Sequence, residues 1–394
     1  MIYAPRSRNI IFCLLMSFLL PGCATLSYYS QTIGGQIELL QKRRPIKTVI
    51  EDKGVSAEVR AKLRLVQEAR IFASKVLFLP DNKSYTDYVD LKRRYVLWSV
   101  FATPALSLKP YMSCFPVVGC MSYRVYFNQA SARGFADELS KRHYDVHVTG
   151  VPAYSTLGWF DDPVINSMMR WKDYDLIGTL FHELTHQKVY ITGDTVFNES
   201  VAKAVEQEGL RRWMGLHSSK ADYREYLLDQ ERERDFVRLI LNTQSRLKTL
   251  YGSNMDVRAK TLAKRGVFRD LRAEYIKLRI KWHGYEGYDE WMFSGVNNAK
   301  IQAVSTYYDY VPAFRRILRE RNGDIRQFYQ AVEKLKQLSR SERHELLKSD
   351  RKRPASGRGL QAITSMREIS GLSQVFSQAD IMPLFPVYIQ VPLA

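Results

Sequence analysis

Apolar residues recur at three- and four-residue spacing from Ser56 to Leu79 (Val59, Leu63, Val66, Ala69, Phe72, Val76). That period predicts an amphipathic helix, ended by Pro80-Asp81-Asn82. The pattern then changes. Residues 95–101, Tyr123–Phe127 and Asp145–Val151 are rich in β-branched and aromatic side chains and predict short strands, with a helix over Ser131–Arg142. In Asp145–Val151, Val146 and Val148 alternate with His147 and Thr149, which suits a strand above a following helix. Residues 174–216 predict two helices joined by Ile191-Thr192-Gly193-Asp194-Thr195. From Ser218 to about Lys281 the chain reads as charged helix, with Gly252 and Gly266 as candidate breaks. Further helices are expected over Asn298–Arg321 and Asp324–Leu338, separated by Asn322-Gly323. The expected class is α+β, predominantly α-helical, with a small sheet upstream of the helix pair at 174–216.

The N-terminus has a different pattern. Arg6 and Arg8 precede the apolar run Ile10–Leu20, too short to span a bilayer but right for a signal-peptide core. The run ends in Leu20-Pro21-Gly22-Cys23, which looks like a bacterial lipobox. Residues 1–22 are therefore expected to be a lipoprotein signal peptide, with Cys23 acylated and membrane-anchored without a spanning helix. Ala24 rather than an aspartate follows, so the expected location is the outer membrane of a Gram-negative cell, facing the periplasm. Residues 23–50 read as a lipidated tether, amphipathic at Ile33–Leu40. Residues 51–350 form the expected catalytic domain, and 351–394 a basic linker with an unassigned tail.

Composition adds three constraints. The chain has 394 residues, 45% of them hydrophobic, enough for a core without a disulfide framework. Fifty-nine Lys+Arg against 41 Asp+Glu give +18, so an anionic envelope polymer or lipid is an expected neighbour. No nucleic-acid recognition motif accompanies the charge. Of four cysteines, Cys114 and Cys120 remain once Cys13 and Cys23 are accounted for. In an oxidising compartment they are expected to pair across Pro116 and Gly119.

The chemistry concentrates at His182-Glu183-Leu184-Thr185-His186, His-Glu-x-x-His within a helical pattern. A spacing of four puts both imidazoles on one face, where they can share one zinc ion, and Glu183 lies about 100° round the helix. A catalytic zinc needs a third protein ligand and an open position. Glu199, thirteen residues beyond His186 at the start of the next helix, fits that role, with Glu206 and Glu208 as competitors. The pattern implies one Zn2+ per chain activating a water to attack a peptide carbonyl, with Glu183 as general base. Tyr154 and Tyr190 are candidate oxyanion donors. Asp161, Asp162 and Glu206 are candidates to pair with a substrate α-ammonium. For the aspartates a turn and capping role before Pro163 is the competing reading. His344-Glu345 lacks a second ligand at Lys348 and reads as surface.

With these residues placed, the sequence resembles a bacterial family of putative aminopeptidase lipoproteins related to the gluzincin metallopeptidases. The resemblance runs from about Cys23 to Leu347. It rests on Cys114–Cys120 with Tyr123-Arg124, the run Val151–Pro163, His182–His186, Gly193–Ser200, Val205-Glu206 and Asn297-Asn298-Ala299. It implies a zincin-like fold, zinc at His182, His186 and Glu199, and Glu183 as base. The tail after Arg351 does not resemble the family. The expected function is a zinc-dependent peptidase that removes N-terminal residues from peptides. The alternatives are an envelope endopeptidase and a non-catalytic zinc-bearing lipoprotein scaffold.

Overall fold

The computed structural model describes residues 22–115, 119–156, 160–349 and 389–390. The signal peptide, most of the tail and the Gly158-Trp159 part of the aromatic loop lie outside these residues, as do the side chains of Cys23 and Tyr154.

The first departure from the sequence pattern comes at once. The segment expected as a tether is folded: helix α1 (Gly22–Gln41) is followed by β1 (Arg44–Pro45) and α2 (Ile46–Glu51). Tyr28, Leu39, Ile46 and Val49 are buried. The reason is tertiary. Leu39, Ile46 and Val49 join the main core, and Tyr28 joins a second cluster with Val100 and Tyr126, partners that local periodicity cannot reveal. Tyr28 packs edge-on to Tyr126 and accepts the Arg124 guanidinium on its face, 4.1 Å from the ring centre. The folded unit thus begins well before residue 51.

Helix α3 (Ala57–Val76) follows, capped by Ser56. The main sheet has the order β6-β3-β7, all antiparallel, formed by β3 (Leu97–Pro104), β6 (Arg124–Tyr126) and β7 (Tyr144–Val151). A second sheet joins β1, β2 (Asp87–Val89) and β9 (Val164–Ile165). Cys114 and Cys120 are disulfide-bonded across the hairpin of β4 (Ser113–Phe115) and β5 (Gly119–Met121). Helix α4 (Gln129–Lys141) covers one face of the main sheet. Strand β7 packs on α4 and on α10 (Asn298–Tyr308). The short strand β8 (Tyr154–Ser155) brings the Ser155 side chain to Glu183 of the motif helix. It pairs in parallel with β10 (Ile389–Gln390).

The centre is the antiparallel pair α5 (Asp173–Lys188) and α6 (Thr195–His217). Their approach depends on two glycines. A Cβ at Gly178 would sit 2.8 Å from Leu210 Cδ1, and one at Gly209 would sit 2.6 Å from Phe181 Cδ2. A larger residue at either position would displace these side chains or the helices that carry them. Phe72 of α3 stacks on Phe181, and Trp213 meets Phe72 edge-on, so α3 closes the pair from one side.

Helices α7 (Lys220–Tyr251) and α8 (Val257–Lys281) form a long hairpin. Gly252 caps α7 as expected, whereas Gly266 lies inside α8 and does not break it. After α9 (Asp289–Phe293), α10 packs on the sheet, on α6 and on α7. Asn298 explains that docking: its amide nitrogen reaches the carbonyls of Pro104, Ala105 and Ser107, and its backbone N–H donates to Asp145. The helix expected over Asn298–Arg321 is two, α10 and α11 (Val311–Arg319), because Pro312 must start a helix rather than continue one. Helices α12 (Ile325–Lys336) and α13 (Arg340–Ser349) complete the frame. No helix among the described residues is long and apolar enough to cross a membrane.

Candidate active site

Helix α5 carries His182, Glu183 and His186, all at most 2% exposed. The two imidazoles lie one turn apart, their ring centres separated by 4.8 Å. Helix α6 returns alongside them because the connecting loop is pinned at both ends. The Asn198 amide donates to the Ile191 carbonyl (2.8 Å) and accepts from the Ile191 N–H (2.9 Å). Gly193 takes φ +79°, a conformation that suits glycine. Asp194 caps α6 through the Phe197 N–H.

The next turn of α6 delivers Glu199 to the histidines. Its Oε2 lies 3.2 Å from His182 Nε2 and 3.5 Å from His186 Nε2. Ligating atoms of His182, His186 and Glu199 all fall within 4.8 Å of one another, the one such group found among the described residues. His186 Nδ1 and Glu199 Oε1 are buried without a hydrogen-bond partner, His186 Nε2 faces only Glu199, and the buried Glu183 carboxyl has Ser155 beside it. Buried polar atoms normally find partners, and here some are left without one. Two neutral-capable imidazoles and a carboxylate are the donor set of a tetrahedral divalent ion such as Zn2+ with one position left over. The residues therefore fit a metal.

The titratable groups of the site act strongly on one another. Burial opposes a charge on His182, but hydrogen bonds to Glu199 and Glu206 outweigh it and lift its pKa to about 9. Burial would raise the Glu199 carboxyl, yet His186 and His182 hold it below the usual carboxylate range. Burial lowers His186. Glu183 differs. Burial pushes it up to about 8, with His182 opposing and the charges of Glu199 and Asp162 reinforcing. A carboxyl whose pKa lies near neutrality is poised to exchange a proton.

Glu206 does not sit among the ligating atoms. Two turns beyond Glu199, its Oε2 lies 3.1 Å from His182 Nδ1, on the far edge of the ring. Lys203 Nζ donates to Glu206 Oε1 (2.8 Å) and also pairs with Glu233 of α7 (3.1 Å), whose carboxylate accepts from the Tyr308 hydroxyl. This buried relay escaped the sequence reading. Its one signal was Lys203 in the otherwise apolar run Val201-Ala202-Lys203-Ala204-Val205, three residues before a glutamate. Glu208, the other competitor, binds Arg211 and Arg212.

The remaining candidates divide. Tyr190 is half-buried, and burial together with the Glu199 charge pushes its phenol up to about 12, so it borders the site as a neutral donor. Asp162 is buried and accepts from the Thr156 N–H (3.0 Å), the Thr156 hydroxyl (2.7 Å) and the Ser155 hydroxyl (3.1 Å). These bonds tie it to Ser155 and Thr156, and it caps no helix among the described residues. Asp161 is partly exposed beside it. His344 is not a surface residue. Its ring lies tilted against Tyr310, with centres 5.1 Å apart, and its Nε2 lies 2.8 Å from Asp194, which also receives Arg343 Nη2 at 2.7 Å. Helix α13 thereby holds the cap of the helix that bears Glu199.

With the site in place, comparison with known proteins is informative. Residues 27–347 match the family described as "Putative aminopeptidase". The chain belongs to that family. The match begins within α1 and ends within α13, so this putative aminopeptidase family spans both the helix pair and the Asp194 clamp. No curated protein and no solved structure matches the chain.

Proposed function

We propose that the protein is a zinc-dependent peptidase that removes N-terminal residues from peptides, with one ion per chain. The observation that carries the reading is the convergence of buried ligating atoms of His182, His186 and Glu199, with the buried Glu183 carboxyl one residue from His182. The zincin-like character of the fold rests on the same helix pair. When bound, zinc would supply Lewis-acid polarisation of the scissile carbonyl and acidify a water.

The protein's own groups do the rest. Glu183, a buried carboxyl on the same helix turn as the two histidines, accepts the proton of the attacking water and passes it to the departing amine nitrogen as the C–N bond breaks. Glu206 receives the His182 Nδ1–H, fixing the ring so that Nε2 turns towards Glu199 and the ion. Tyr190, protonated at neutral pH, can donate to the oxyanion as it develops. The lipobox-like Leu20–Cys23 supports anchoring through acyl chains on Cys23, on the periplasmic side of a Gram-negative outer membrane.

Mass spectrometry of a mixed peptide library, incubated with the zinc-loaded chain and with Glu183→Gln, tests this. The expected products are shortened stepwise from the N-terminus and absent with the variant. Internal cuts would make it an endopeptidase. Metal retention with identical, unchanged libraries would leave a zinc-bearing scaffold.

A further inference from the structure

Helix α8 presents an outward face that the site does not use. Leu262, Ile276 and Ile280 lie along it at 68%, 48% and 73% exposure, although the opposite face buries Phe268, Leu271 and Tyr275 in the core. At 100° per residue, these three fall within about 40° of one line, a stripe ~27 Å long. Arg258, Arg265, Arg269, Arg272 and Lys277 occupy the same side. The acidic residues of α8, Asp270 and Glu274, sit on the flank towards α7, where both pair with Arg246. Among the described residues Arg258, Arg265, Arg272 and Lys277 have no ion-pair partner, and Arg269 touches only its neighbour Asp270.

A solvated helix face normally mixes charges of both signs and exposes aliphatic side chains singly. Large aliphatics interleaved with charge of one sign are instead the pattern of a helix lying in a lipid interface. There the apolar groups enter the acyl boundary and the guanidinium and ammonium groups reach the phosphates. We propose that this face of α8 docks flat on an anionic phospholipid surface. Charge complementarity selects that occupant: five cations line the face, the anions on its flank, Asp270 and Glu274, are paired with Arg246 and Arg269, and the chain as a whole is at +18. The contact is independent of the peptidase reading and of acylation at Cys23.

The test uses the full chain with Cys13→Ser and Cys23→Ser, a nitroxide at Ile280→Cys, and vesicles of phosphatidylglycerol with phosphatidylcholine. Paramagnetic relaxation reports where the label sits, however the N-terminus behaves. The label at 280 should become more accessible to oxygen and shielded from a nickel chelate. A label at Leu216→Cys, 73% exposed on α6, should not change. Arg265→Glu with Arg269→Glu should weaken the effect at 280 on the order of tenfold or more, and vesicles of phosphatidylcholine alone should not produce it. No change at 280 with anionic vesicles, equal change with neutral ones, or a response at 280 only to a soluble polyanion such as heparin would overturn the proposal.

Discussion

Glu206 Oε2 lies 3.1 Å from His182 Nδ1, while Glu199 Oε2 lies 3.2 Å from the Nε2 of the same ring. One imidazole is held between two carboxylates on one helix, separated by two turns. The near carboxylate belongs with the ligating atoms, and the far one fixes the ring. In that position Glu206 is a positioning residue, and it is also the partner of Lys203, which is 5% exposed.

Glu206→Ala should therefore have two separable effects. Loss of the outer partner of a ligating histidine lowers metal affinity by about 10–100-fold. Loss of one member of a buried ion pair destabilises the fold by ~3–5 kcal/mol, reduced here because Glu233 still faces Lys203. Metal titration and thermal denaturation read the two effects. Glu206→Gln keeps an acceptor for Nδ1–H and should retain most of the affinity. Equal affinity in the alanine variant would remove Glu206 from the site.

On the proposed reading, Glu199→Ala removes a metal ligand while Glu206 still faces His182 Nδ1. Zinc at a thousandfold excess over its Kd stabilises a folded chain by ~4 kcal/mol, and chelation should lower Tm accordingly. In the variant most of that zinc-dependent increment should vanish, as seen by calorimetry with and without a chelator. An undiminished increment would place the third ligand elsewhere.

Asp194 couples α13 to the cap of α6. Burial would raise its carboxyl, but His344 and Arg343 more than compensate and hold it below its usual value. A depressed carboxylate contributes stability that is fully present above its unfolded pKa of about 3.9 and is lost as pH falls through the lower folded value. Asp194→Asn should cost ~3–5 kcal/mol at neutral pH, because Arg343 is left buried and unpaired. The acid-side loss of stability below about pH 4 should shrink correspondingly. Denaturation across pH compares the two; parallel curves for variant and parent would refute the clamp.

Gly209→Ala probes the approach of α5 and α6. Its Cβ would meet Phe181 at 2.6 Å and Leu77 at 2.7 Å, so overpacking should cost ~1–3 kcal/mol despite the better helix propensity of alanine. Displacement of α6 from α5 should also weaken metal binding, although residue 209 touches no ligand. Gly134→Ala, where nothing lies within 4 Å, should be neutral or slightly stabilising.

Much of the candidate site was legible because local spacing fixes it. His182 and His186 share a face in any α-helix, and Glu183 cannot then point the same way. Glu199 followed from the loop length and the next helix. The helix pair, the strands at 97–104 and 144–151 and the Cys114–Cys120 pairing are likewise local patterns, with boundaries shifted by a few residues. Tertiary structure decided what depends on distant partners. Residues 28–49 join the core because Tyr28, Leu39, Ile46 and Val49 find complementary surfaces far along the chain. Glu206 turns to the back of His182 because α5 and α6 cross at Gly178 and Gly209, a distance that no periodicity encodes. His344 becomes a half-buried tie because α13 returns over Asp194, 150 positions earlier. Side-chain spacing along one element is set by backbone geometry and is written in the sequence. Which carboxylate faces which imidazole is set by packing between elements, and exists only once they meet.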